Sequence, residues 1–99
     1  MTVSETIIEQ LGGVSILSMM IGLKKIITEP NAVQLIFPLP KHKGAVNKVR
    51  IFLNGLDLYD IEFIRFNKRG HKVISKEENV YAEDLKDFFE RGTGLYIRF

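Results

Sequence analysis

The sequence predicts an α+β domain: an antiparallel β-meander of four to five strands with an N-terminal and a C-terminal helix packed on one face. Three observations predict it. Apolar residues alternate through residues 48–76 at the period of half-buried strands. Apolar stripes at helical spacing lie near both ends of the chain. The breaks between these stretches carry Gly, Pro, Asn and Asp, the residues that turns require. With 99 residues, 45% of them apolar, the chain can build one core, so residues 1–99 are read as a single domain.

The meander organises the rest. Val49, Ile51 and Leu53 share one side of its first strand, Tyr59, Ile61 and Phe63 one side of the second, and Val73 with Ser75 one side of the third. These sides form the predicted core face. The turn Asn67-Lys68-Arg69-Gly70 joins the second and third strands, with Gly70 free to take a positive φ. Two registers compete at the first turn. A tight Asn54-Gly55 hairpin sets Val49 opposite Asp60, whereas a loop over 54–58 sets Leu53 opposite Tyr59, Ile51 opposite Ile61 and Val49 opposite Phe63. The second also puts Arg50 opposite Glu62, and an apolar pattern specifies register more strongly than one dipeptide does. The longer loop is therefore predicted.

Upstream, Thr2 and Glu5 have capping-box spacing, Ser4, Ile7, Ile8 and Leu11 share a helix face, and Gly12-Gly13 ends that helix. Residues 14–20 are read as helical or irregular and about 23–28 as a strand, a stretch where periodicity does not arbitrate. Glu29-Pro30-Asn31 forms a turn, Val33, Leu35 and Phe37 alternate as a strand, and Pro38 and Pro40 open a basic loop over 41–44. Downstream, Glu77-Glu78-Asn79 leads into a helix from Tyr81 to Arg91 with Tyr81, Leu85, Phe88 and Phe89 as its stripe, Asn79 as its cap and Gly92 as its stop. Phe88 and Leu85 are expected on the face of Ile51, Ile61 and Phe63, and Leu95, Ile97 and Phe99 alternate as a closing strand.

Composition excludes several function classes. No cysteine means no disulfide and no thiolate metal site, and nothing demands an oxidising compartment. The longest apolar run, residues 14–23, is about half of the ~20 residues that a membrane span needs. Glu5 and Glu9 stand where a signal peptide would be basic, so the chain is read as complete from Met1, cytoplasmic and without a membrane partner.

Several stretches resemble a family of small, uncharacterised bacteriophage and prophage proteins. They are IIEQLGG at 7–13, the Met20, Gly22 and Lys24 of an M-x-G-x-K pattern, VRIFLN and LYDIEF in the meander, VYAEDLKDFFE at 80–90 and TGLY at 93–96. The similarity spans nearly the whole chain, although Ile21, Leu23 and Leu58 are more apolar than the Thr, Ala and Thr common there. The resemblance implies a phage-encoded protein made inside an infected bacterium and assigns no activity.

The residues themselves argue against an enzyme. His42 and His71 have no cysteine or nucleophile-elbow serine to work with, Gly12-Gly13 and Gly92-Thr93-Gly94 lack phosphate-loop spacing, and Asp57 with Asp60 is too few ligands for a hard cation. No catalytic residue, metal or cofactor is expected.

Charge placement is more informative than the net charge of +2. Meander topology brings Lys24, Lys25, Lys41, Lys43, Lys48, Lys68, Arg69 and Lys72 to one end of the sheet, eight of fourteen basic residues, and Glu29, Asp57, Asp60, Glu77 and Glu78 to the other. Ordinary lysine-rich surface accounts for such loops as readily as function does. Two functional readings stay open. In one, Lys41, Lys43, Lys48, Lys68, Arg69 and Lys72 bind DNA or RNA, with Phe52 or Phe66 as stacking partners. In the other, the chain binds a host or phage protein and its charge separation orients the encounter. An unpaired sheet edge adds the expectation of a homodimer.

Overall fold

The computed structural model describes residues 2–41 and 45–97. Helices α1 (Val3–Gln10) and α2 (Val14–Ile21) precede five strands, β1 (Lys25–Glu29), β2 (Ala32–Ile36), β3 (Lys48–Leu53), β4 (Tyr59–Asn67) and β5 (Gly70–Val80). A 3₁₀ turn (Ala82–Asp84) and helix α3 (Leu85–Thr93) follow. The strands form one antiparallel sheet in chain order, a five-stranded meander in an α+β fold.

The longer-loop register holds. Leu53 faces Tyr59, Ile51 faces Ile61, Arg50 faces Glu62 and Val49 faces Phe63. Asn54 supplies the chemistry that a tight hairpin would have supplied from backbone alone. Its backbone N–H donates to Leu58 O at 2.8 Å, and its Oδ1 accepts from the N–H groups of Leu56 (2.8 Å) and Leu58 (3.2 Å). Asp57, with φ 59°, takes the left-handed position, which Asp tolerates because its side chain is short and polar.

Rows across the sheet set the core. Val33, Ile51 and Ile61 form one row and Leu35, Val49 and Phe63 the next, all at most 1% exposed. Ile7, Leu11, Leu17, Ile21, Leu85, Phe89 and Ile97 join them in one cluster, so all three helices cover the same face. Ser4 ties α1 down, its hydroxyl donating to Ala32 O at 2.8 Å with Glu29 O at 3.3 Å. Thr2 Oγ1 accepts from the Glu5 N–H, as the cap spacing predicts. The ambiguous stretch after Gly13 resolves into α2 and the shorter strand β1.

Several expectations about the C-terminal third are corrected. Strand β5 runs through Glu77-Glu78-Asn79 to Val80, because two bulges let it continue past residues that read as a loop. One bulge leaves Ile74 unpaired between Phe63↔Ser75 and Ile64↔Val73, which turns Val73 to the outer face while Ser75 keeps the core side. The other places Asn79 at φ 56°, donating its N–H to Asp60 Oδ1 instead of capping a helix, and returns Val80 to the core opposite Tyr59. Tyr81 is 57% exposed ahead of the 3₁₀ turn, so the buried stripe is Leu85 and Phe89, and Phe88 is half-buried under the Arg91 guanidinium. The helix stops at Gly94 (φ 73°) and not at Gly92. Gly92 sits against the Phe63 ring, where a Cβ would fall 2.2 Å from the ring carbon Cζ. Residues 95–97 pack without forming a strand, since the Ile97 N–H donates to Glu90 Oε2 at 2.8 Å and its side chain is fully buried. Phe99 lies outside the described residues.

Both sheet edges carry features that discourage pairing. Strand β1 is five residues long and ends at Pro30, and β5 has two bulges and the charges of Lys72, Lys76, Glu77 and Glu78.

Two substitutions test this packing. Phe89→Ala should destabilise by about 3–5 kcal/mol in denaturant unfolding, and Phe88→Ala by clearly less. Gly92→Ala should lower the melting temperature even though alanine favours helix, because the added methyl must displace a buried ring, a clash worth about 1–3 kcal/mol or more. An unchanged or raised Tm would place Phe63 elsewhere.

Candidate functional site

The meander alternates its turns between two ends. Pro30-Asn31 and the 54–58 loop lie at one, and the 37–47 connection and Lys68-Arg69 at the other. At that second end Lys25, Ile36, Lys48, Ile64 and Val73 form a single row across all five strands. Lys24 precedes the row and Lys41 lies in the connection, both exposed. Lys43 and His42 lie outside the described residues.

Strand β3 begins at Lys48, opposite Ile64, so β4 and β5 run on past it as a two-stranded ribbon: Arg65 opposite Lys72, Phe66 opposite His71, Asn67 opposite Gly70. Asn67 Oδ1 accepts from the Arg69 N–H at 2.9 Å and shapes the tip, while Gly70 takes φ 127°. Asn47 braces the ribbon's root. Its Nδ2 donates to Phe66 O at 3.0 Å and its Oδ1 accepts from the Phe66 N–H at 2.9 Å, so one side chain continues the ladder where β3 has ended.

The ribbon's charge is one-signed. Residues 63–76 contain Arg65, Lys68, Arg69, Lys72 and Lys76 and no carboxylate. Arg65 and Lys72 stand directly opposite each other on one face, an arrangement that repulsion disfavours. The other face is the sheet's outer face, which no helix covers. It presents Phe66 and His71 side by side, with Lys48 Nζ 5.5 Å from the centre of the Phe66 ring. A shallow pocket of about 270 Å³ lies among Arg65, Asn67, Arg69, Gly70, His71 and Lys72.

Sequence reasoning located Lys48, Lys68, Arg69 and Lys72 at this end. It missed Arg65, which hides in the alternation of a strand, and gave His71 no role at this end. The signal for both was the length of β4 beyond its pairing with β3, visible once Asn47 is recognised as a mimic of backbone.

Phe52, the other proposed stacking residue, lies four residues along β3 from Lys48, toward the opposite end, with the Arg50 guanidinium 4.7 Å from its ring centre. Arg50 anchors the middle of the outer face. Its Nε and Nη2 bind both Glu29 oxygens at 3.0 and 3.1 Å, its Nη1 reaches Glu62 at 3.3 Å, and Gln34 Nε2 donates to Glu29 as well. These hydrogen bonds, the one from Arg50 foremost and then that from Gln34, hold the Glu29 carboxyl below its ordinary range. The carboxylates expected at the far end are largely engaged. Asp60 Oδ1 accepts from Asn54 Nδ2 and the Asn79 N–H, and Lys76 lies 3.8 Å from Glu78.

Among the described residues, no group of three or more His, Asp or Glu side chains could hold a metal ion, and no helix is long and apolar enough to cross a membrane. Comparisons with protein-family models, with curated proteins and with solved structures return no match to this chain.

The Glu29–Arg50 pair predicts an acid-limb effect. A carboxyl whose folded pKa is depressed contributes stability that is fully present above its unfolded pKa and is lost as pH falls through the folded value. The Tm of the wild type should therefore fall on acidification through and below the ordinary carboxylate range. That of Glu29→Gln should fall less over the same interval. Parallel curves would remove Glu29 from the acid transition.

Proposed function

We propose that this chain is a small, non-enzymatic binding protein that holds nucleic acid at the basic end of its sheet. One observation carries the reading: the ribbon concentrates Arg65, Lys68, Arg69 and Lys72 at a projecting tip without any carboxylate among residues 63–76. A stretch that keeps two cations directly opposed suits an anionic ligand that neutralises both. Lys48 and Lys41 extend the same potential along the row and the neighbouring connection. The resemblance to phage and prophage proteins supports a role in the cytoplasm of an infected bacterium.

A second reading, a module that binds a host or phage protein, is favoured by α2. Its sequence VSILSMMI has no charge, and Val14 and Met19 are 49% and 62% exposed. Such a surface suits a protein partner better than a polyanion.

Binding measured by fluorescence anisotropy against salt separates the two. Under the first reading, affinity for nucleic acid falls steeply with salt, the log–log slope gaining about −0.9 per neutralised phosphate on duplex and about −0.7 on single strands. Lys68→Glu with Arg69→Glu should weaken binding to every sequence and leave the thermal melt unchanged, because both residues are exposed at a turn. No binding to single- or double-stranded nucleic acid at low salt would overturn the reading in favour of a protein partner.

A further inference from the structure

We infer, on the basis of the nucleic-acid reading above, that the strand taken at this end is single, with a base stacked on the Phe66 ring beside His71. Phe66 and His71 are a directly opposed pair on the outer face of the ribbon, so their Cβ atoms are about 4.5–5.5 Å apart. Ile64 and Val73 form the next pair on that face, Ile64 buried at 5% exposure and Val73 44% exposed, so the accessible apolar surface continues from Phe66 to Val73. The helices all lie on the opposite face, so what shields this surface is its own neighbours: Ile64 is 5% exposed and Lys48 Nζ lies over the Phe66 ring.

The backbone beneath the platform is also braced. Phe66 lies beyond the end of β3, where its backbone would otherwise have no partner on that side, yet the Asn47 amide binds both its N–H and its carbonyl. Stacking loses least when the ring is fixed before the ligand arrives. Cations stand close to the ring: Lys48 Nζ lies over one of its faces, 5.5 Å from the centre, where a base taking that face would have to displace it toward a phosphate, and Lys68 and Arg69 follow at the tip. A base laid on Phe66 would therefore have phosphates on either side within reach of positive charge, the combination that single-strand sites use.

A duplex makes poor use of this surface. Its bases are stacked on one another, and a ribbon entering the major groove reads base edges with hydrogen-bond donors. The apolar surface open on the outer face here, Phe66 and Val73, donates nothing, and its donors are limited to His71 and Lys48 beside the ring.

The test compares three probes of equal length by anisotropy at several salt concentrations: a thymidine oligonucleotide, a duplex, and an abasic deoxyribose-phosphate oligomer. Wild-type protein should bind the thymidine strand most tightly. The abasic oligomer should lose on the order of ten-fold in affinity, with an unchanged salt slope, because stacking is lost and phosphate contacts are kept. Phe66→Leu should lose a similar factor on the thymidine strand and none on the abasic one. If Phe66→Leu fails to fold, the wild-type comparison of thymidine and abasic strands decides alone. Equal affinity for those two, or tighter binding of the duplex, would overturn the single-strand inference and leave phosphate binding at the ribbon standing. Failure of all three probes to bind at low salt would remove the underlying reading as well.

Discussion

Burial of the rows Val33–Ile51–Ile61 and Leu35–Val49–Phe63 under three short helices is the constraint on which the rest of the molecule depends. Helices of eight, eight and nine residues cover one face of a five-stranded sheet and cannot reach the second. The outer face must therefore be compatible with water. It achieves this by placing Arg50 at its centre, bonded to Glu29 on β1 and Glu62 on β4, so that one guanidinium ties three strands together. The Ile and Phe side chains between these polar groups stay partly shielded. Strand β5 is left largely uncovered, with residues 70–79 exposed throughout even though α3 packs against the strand.

An exposed strand of eleven residues on a sheet edge is ordinarily a hazard, and here two bulges change its character. The bulge at Ile74 reverses which side chains face outward, which puts His71 beside Phe66 and Lys72 beside Arg65. The bulge at Asn79 brings Val80 back beneath the sheet, 3% exposed against Tyr59, and so pins the far end of the strand into the core. Between these points β5 can be charged on both sides without costing the core anything. Its anchor and its basic tip are at opposite ends of one strand.

How much of this is legible in the sequence depends on whether the determining contact is local. The β3–β4 register follows from two alternating patterns of matching length, and so it can be read. The end of α3 cannot, because Gly92 and Gly94 are equally good stops until Phe63, some thirty residues earlier, is known to require the space at Gly92. Phe88 and Phe89 are likewise indistinguishable on a helical stripe until the sheet's position is known. Glu77-Glu78-Asn79 reads as loop because charge is taken for exposure, and an edge strand satisfies both. The basic end is legible from topology alone, since antiparallel order assigns every turn to one end or the other. The Phe66–His71 pair is not, because it needs both the β4–β5 register and the stopping point of β3.

The opposed cations give the ribbon a distinctive relation to salt. Arg65 and Lys72 repel each other across the strands, and ions screen that repulsion over a distance of about 8–10 Å at physiological strength. Salt therefore relaxes the free ribbon while it weakens any phosphate bound there, and the two effects have one origin. A polyanion bound there, as proposed, would offset the repulsion, so binding and fold would favour the same arrangement of the tip. The core contributes little to this exchange, because Val80 and Tyr59 hold the strand pair from the other end of the sheet. Anchoring and charge are thereby placed at different ends of one strand pair, which is what allows a chain of 99 residues to keep so charged an edge.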